Sequence, residues 1–197
     1  REVSNDVDGA ADVRAIDVDG DGDIDVLSAG RNSDEVAWHE NNGSESFTKR
    51  VIATNAKTVN EVFAIDLDRD GDIDVLSANE DDNKIKWYKN NGSQSFTEYT
   101  IGTGEGPFDV YAADIDRDGD IDLLSGSYSG SSNINWHINN GSQSFTQVSI
   151  ENDNMATDLR SVYAADLDND GDLDVMGAFA NGNKVAWYKS TPSDDNY

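Results

Sequence analysis

Four nine-residue stretches concentrate the residues that can do chemistry: "DVDGDGDID" (17–25), "DLDRDGDID" (66–74), "DIDRDGDID" (114–122) and "DLDNDGDLD" (166–174). Each sets aspartate at its odd positions and glycine at its sixth. Carboxylates at positions 1, 3 and 5 converge when the chain turns sharply, and glycine permits that turn. The aspartate at position 9 closes the cage, and position 7 offers its backbone carbonyl. Hard oxygen donors in this number suit Ca²⁺, because Mg²⁺ demands a tighter octahedron. The predicted ligands are Asp17, Asp19, Asp21, Asp23 and Asp25 in the first loop, and Asp66, Asp68, Asp70, Asp72 and Asp74 in the second. The third supplies Asp114, Asp116, Asp118, Asp120 and Asp122, and the fourth Asp166, Asp168, Asp170, Asp172 and Asp174. An EF-hand needs a glutamate at position 12, where Ser28, Ser77, Ser125 and Gly177 stand instead. Two carboxylates about 4 Å apart repel by about 4 kcal/mol at an effective dielectric of about 20, so a converging set without a cation opposes folding. About four ions are expected, one per loop.

The elements that must hold these loops repeat with them. The first aspartates are spaced by 49, 48 and 52 residues, and Trp38, Trp87, Trp136 and Trp187 follow at spacings of 49, 49 and 51. Each unit reads as short strands. One is small and apolar and leads into the acidic loop ("VRAID", "VFAID", "VYAAD"), and a second leaves it ("IDVLSA"). A third carries the tryptophan with period-2 alternation, and Asn-Gly then turns the chain into "SFTKRVI" and its relatives. No segment shows a 3.6-residue apolar period.

Four-stranded units of 40–50 residues predict an all-β protein, a β-propeller of four blades. The repeats run over about 11–59, 60–107, 108–158 and 159–190, within a single domain of 1–197. Residues 1–10 resemble the fourth strand that the last unit lacks, so Arg1–Asn5 is expected to complete the last blade and close the ring. The alternative is that two chains share one larger ring.

Composition narrows the function. A net charge of −26 excludes a nucleic-acid backbone as partner. It suits salty or calcium-rich surroundings. The apolar runs are too short for a membrane-spanning helix, which needs about 20 residues. There is no cysteine, so disulfides and thiolate metal sites are absent. The only histidines, His39 and His137, stand where the other units have Tyr88 and Tyr188, which marks them as strand residues and not a catalytic pair. Half of the acidic residues, 20 of 40, fall in the acidic loops, and no enzyme is expected.

The D-x-D-x-D-G-D-x-D loops, the "YAAD" or "FAID" strands before them and the "NNGSQSFT" hairpins resemble the FG-GAP (VCBS-type) repeat family, over nearly the whole chain. The resemblance implies a β-propeller with Ca²⁺ in the turn joining the first two strands of each blade, held by the aspartates named above. Relatives of this family usually form seven-bladed rings, and four units depart from that.

The loops on the opposite face differ in every unit, where propellers commonly hold ligand. Tyr128 and Phe179 are the only aromatics in the loops between second and third strands and are candidates for stacking on a sugar ring. Two functions follow as expectations. One is a calcium-stabilised, secreted recognition module for glycan or extracellular protein, and the other a structural spacer or oligomerisation domain. The chain is expected to be a monomer or homodimer.

Overall fold

The structure is a computed structural model that describes residues 1–128, 134–151 and 157–190. Fifteen antiparallel strands form four sheets, and no helix occurs among the described residues. The first sheet is β1 (Ala10–Ile16), β2 (Asp25–Gly30), β3 (Glu35–Asn41) and β4 (Phe47–Ala53), paired in chain order. The second is β5 (Val59–Ile65), β6 (Asp74–Asn79), β7 (Lys84–Asn90) and β8 (Phe96–Thr103). The third is β9 (Pro107–Ala113), β10 (Asp122–Ser127), β11 (Ile134–Asn139) and β12 (Phe145–Glu151). The fourth holds β13 (Thr157–Ala165), β14 (Asp174–Asn181) and β15 (Lys184–Tyr188).

Each acidic loop links the first two strands of a sheet, so all four repeat in register. The Asn-Gly turns are longer than a two-residue hairpin. Asn41 pairs with Phe47, which leaves five residues between the strands. Gly43 has φ +71° and Glu45 φ +60°, two left-handed residues in one loop.

The core lies between the sheets. Leu27, Val36 and Trp38 of the first sheet cluster with Val62, Val75 and Tyr88 of the second. Leu76, Ile85 and Trp87 meet Val110, Ala112 and Leu123 in the same way. Leu124, Ile134 and Trp136 then meet Val162, Ala164 and Val175. At each of these three seams a Leu–Ile/Val–Trp face thus meets a Val–Ala–Val/Leu face. Carboxylates tie the inner strands together across these seams. Asp12 accepts the Val62 N–H at 3.2 Å, Glu61 that of Val110 at 2.8 Å and Asp109 that of Val162 at 2.6 Å.

The expected closing strand is corrected. Residues 1–9 form no strand, and the fourth sheet has three strands among the described residues. The segment stays with the first sheet instead: the Lys49 ammonium donates to the Asp6 carbonyl at 2.7 Å, and the Arg31 N–H to Gly9 O at 3.0 Å. Local charge and turn bonds hold it there. Among the described residues, no core cluster joins the fourth sheet to the first.

Candidate functional site

The loops wind by bonding to their own side chains. Position 1 accepts the N–H of glycine 6, from Gly22 to Asp17 at 3.0 Å, Gly71 to Asp66 at 3.0 Å and Gly171 to Asp166 at 3.1 Å. Asp21 accepts from the Asp23 N–H at 2.8 Å, and Asp118 from that of Asp120 at 2.8 Å. These bonds draw positions 1, 3 and 5 inward. Glycine 6 takes φ between +96° and +102° in the four loops, a conformation that side chains rarely adopt.

Position 9 is the anchor. Asp25, Asp74, Asp122 and Asp174 are fully buried. One oxygen of each accepts the N–H of position 2, from Val18, Leu67, Ile115 or Leu167 at 3.0–3.3 Å. The other takes the N–H at the end of the tryptophan strand, from Asn41, Asn90 and Asn139 at 2.7 Å and Ser190 at 2.9 Å. Burial pushes Asp74 and Asp122 up to about 6, against the pull of these N–H bonds. A nearby dication would hold them ionised.

Three carboxylate oxygens gather within 4.8 Å of one another in every loop: Asp17, Asp19 and Asp25; Asp66, Asp68 and Asp70; Asp114, Asp116 and Asp118; Asp166, Asp168 and Asp174. Positions 1 and 3 are always present, joined by 5 or 9. Buried Oδ1 atoms of Asp66, Asp68, Asp114 and Asp166 have no hydrogen-bond partner. Unpartnered anionic oxygens beside other carboxylates fit a hard cation. Asp21, Asp170, Asp74 and Asp122 lie outside the three-oxygen groups. Position 7 turns elsewhere: the Asp23, Asp72 and Asp120 carboxylates lie on Gly43, Gly92 and Gly141 of the Asn-Gly turns, and Asp172 meets Arg117 at 3.2 Å.

Positive partners that the aspartate spacing does not announce also appear here. Lys89 binds Asp68 and lies 3.3 Å from Asp70, and Lys189 binds Asp168 and lies 3.2 Å from Asp170. The first and third units carry Glu40 and Ile138 at that position. A lysine two residues after the tryptophan was the available signal.

The two histidines are buried strand residues. His39 Nε2 lies 3.0 Å from Ser28 Oγ and His137 Nε2 2.8 Å from Ser125 Oγ. Ser77 reaches the Tyr88 hydroxyl at the same place in the second sheet, at 3.4 Å. Burial lowers both imidazoles, His137 to about 4.

On the face opposite the loops, a cavity of about 220 Å³ opens where the inner strands begin, lined by Asp12, Asn60, Glu61, Phe108, Asp109 and Arg160 among others. The Arg160 guanidinium sits 4.8 Å from the Phe108 ring and 4.7 Å from that of Tyr128. Tyr128 is 40% exposed, beside this cavity. Phe179 is not available for stacking. It lies within β14, 3% exposed in the core, because that strand runs on to Asn181 past the expected loop start. The loop segments at 129–133 and 152–156 fall outside the described residues. A larger groove of about 360 Å³ runs along the first seam, beside Asp19, Trp38, Glu40, Arg50 and Gln94.

The four sheets and their carboxylate loops define a class of all-β repeat protein with an acidic loop in each repeat. The chain belongs to the FG-GAP-like repeat family, which matches residues 17–77, 66–125 and 116–177. Among solved structures it is similar to an Agrocybe aegerita lectin described for specific recognition of non-reducing terminal N-acetylglucosamine. That match has 20% identity and a TM-score of 0.57, over 88% of this chain and 50% of the lectin chain. It is also similar to the V. cholerae biofilm matrix protein Bap1, at 16% identity and a TM-score of 0.59, over 89% of this chain and 26% of that one. The chain therefore spans about half the lectin and about a quarter of Bap1. Nothing among curated protein sequences matches it.

Proposed function

We propose that this chain is a segment of a β-propeller whose four blades each bind one Ca²⁺, and that it serves as a secreted, non-catalytic recognition module for glycan or protein. The orphaned buried carboxylate oxygens carry the reading, since they need a cation in the same place in blade after blade. Positions 1, 3, 5 and 9 ligate, with the backbone of position 7. Calcium binding to the folded state alone adds RT ln(1 + [Ca]/Kd) of stability per site. The ligand lies on the opposite face at the Phe108–Arg160–Tyr128 stack, where aromatic rings and a guanidinium suit a sugar face or a carboxylate. The lectin similarity supports the fold for such a role.

A glycan array probed with the calcium-loaded protein tests the recognition half. Binding that falls at least about tenfold, a loss of about 1.4 kcal/mol, in both Tyr128→Ala and Arg160→Ala is the expected result. Binding unchanged in both variants, or no glycan bound by fully loaded protein, argues against a glycan at this site.

A further inference from the structure

The Asp68 side chain is 2% exposed, against 25% for Asp168 at the same place in the fourth loop. Its two oxygens are treated differently. Oδ1 is buried and has no hydrogen-bond partner. Oδ2 is bonded to the Lys89 ammonium and also accepts the Gln143 Nε2–H at 2.9 Å. Lys89 belongs to the same blade, but Gln143 lies 75 residues on, in the Asn-Gly turn of the third blade. That turn is wound tightly enough to aim its side chain. Asn140 Oδ1 accepts the N–H groups of Ser142 and Ser144 at 2.9 and 3.3 Å, and Gln143 stands between them at φ +61°. The turn is also seated on its own acidic loop, because a Cβ on Gly141 would meet the Asp120 carboxylate. The first seam supplies the contrast. Gln94 has the place of Gln143, at φ +54°, and Asp19 has that of Asp68, yet the two line a groove of about 360 Å³ and no hydrogen bond joins them.

We infer that Gln143 is a positioning residue of the second blade's cation site, supplied from the third blade: its amide fixes Oδ2 of Asp68 and so presents the unpartnered Oδ1 to the cation. The inference rests on the calcium reading above. A carboxylate held by one oxygen gives the other to a metal without having to turn, and outer partners of this kind set metal affinity by about 10- to 100-fold. The partner matters most in this loop. Lys89 must leave Oδ2 when a dication enters, and Gln143 is then the group that still holds that oxygen. A neutral amide can stay beside a dication where an ammonium cannot. Site and seam are thereby coupled, because what the third blade's turn adds to cation binding, the bound cation returns to the turn. Arg69 crosses the same seam in the other direction, to 4.0 Å from Asp114, whereas the first loop has Gly20 at that position.

A calcium titration followed by NMR tests this loop by loop, read at the amides of Gly22, Gly71, Gly119 and Gly171, the sixth position of each. In Gln143→Ala the midpoint at Gly71 is expected to move to about tenfold higher calcium, the lower end of the range because the bond is exposed. Gly22 and Gly171 should keep their wild-type midpoints. Gln143→Asn suits the left-handed backbone but falls short of Asp68, so it should give the same shift and separate lost reach from a disturbed turn. Gln94→Ala should move none of the four. Four glycines that titrate with Gly71 unmoved in both Gln143 variants overturn this inference and leave the calcium reading intact. So does a shift confined to Gly119, which would tie Gln143 to its own blade, or an equal shift at Gly22 from Gln94→Ala, which removes no such bond. No calcium at any loop overturns the calcium reading and this inference with it.

Discussion

His137 and Lys89 show how single side chains set the conditions under which this fold holds. The His137 ring is 1% exposed, its Nε2 is paired with Ser125, and its Nδ1 has no hydrogen-bond partner. Protonation would bury a charge with an unmet donor, so its folded pKa falls to about 4 from an ordinary value of about 6.5. The unfolded chain binds that proton more tightly. The neutral ring's contribution is therefore complete above about pH 6.5 and is lost as pH falls towards 4, to a total of about 3 kcal/mol. A titration followed by NMR should place His137 below about 5, and a midpoint near 6.5 would refute the burial argument. Lys89 acts on the acidic loops. Its ammonium, raised chiefly by the bond to Asp68, holds two of the carboxylates that a cation needs. Calcium binding must displace it, as it must Lys189, whereas the first and third loops face Glu40 and Ile138. Calorimetry should resolve two tighter and two weaker sites. Lys89→Met should tighten one weak site by about tenfold, about 1.4 kcal/mol. Four equal sites that ignore this substitution would count against the competition.

At the scale of the element, the acidic loop and the Asn-Gly turn form one unit. A Cβ on Gly92 would overlap the Asp72 carboxylate, and its φ is +73°. Gly92→Ala should cost about 1–3 kcal/mol and lower the melting temperature by several degrees. Gly20 also has a positive φ, +74°, but nothing lies within 4 Å of its Cβ position, and Asn169 fills the same place in the fourth loop at φ +62°. Gly20→Asn should stay within about 0.5 kcal/mol. Equal losses in a thermal melt would undo the claim that the carboxylate contact, and not the backbone angle alone, fixes Gly92. Much of this unit is legible in sequence, because strand alternation and the aspartate spacing are local and repeated four times. What was not legible depends on neighbours. Asp12, Glu61 and Asp109 read as ordinary acidic residues ahead of a valine, although that acid-Val pair recurs in three units. Only the seam shows that each caps the next blade's backbone. Phe179 read as a loop aromatic because strand ends are set by packing, and here β14 continues into the core. Arg1–Asn5 looked like a missing strand by pattern, but Lys49 and the turn at Arg31 hold residues 6–9 against the first blade.

Across the whole molecule, folding must gather a large negative charge. The chain carries −26, and 20 of its 40 acidic residues lie in the four loops. Four dications would contribute +8 and leave −18, with the neutralisation placed where the carboxylates are densest. Arginines spread part of the rest between blades, Arg69 towards Asp114 at 4.0 Å and Arg117 to Asp172 at 3.2 Å. Among the described residues, no helix is long and apolar enough to cross a membrane. Calcium in millimolar surroundings would saturate even weak sites of this kind. The most direct test is native mass spectrometry of the protein in calcium and after EDTA. Four calcium ions per chain, all removed by the chelator, is the predicted result, and a bare chain at saturating calcium would contradict the account.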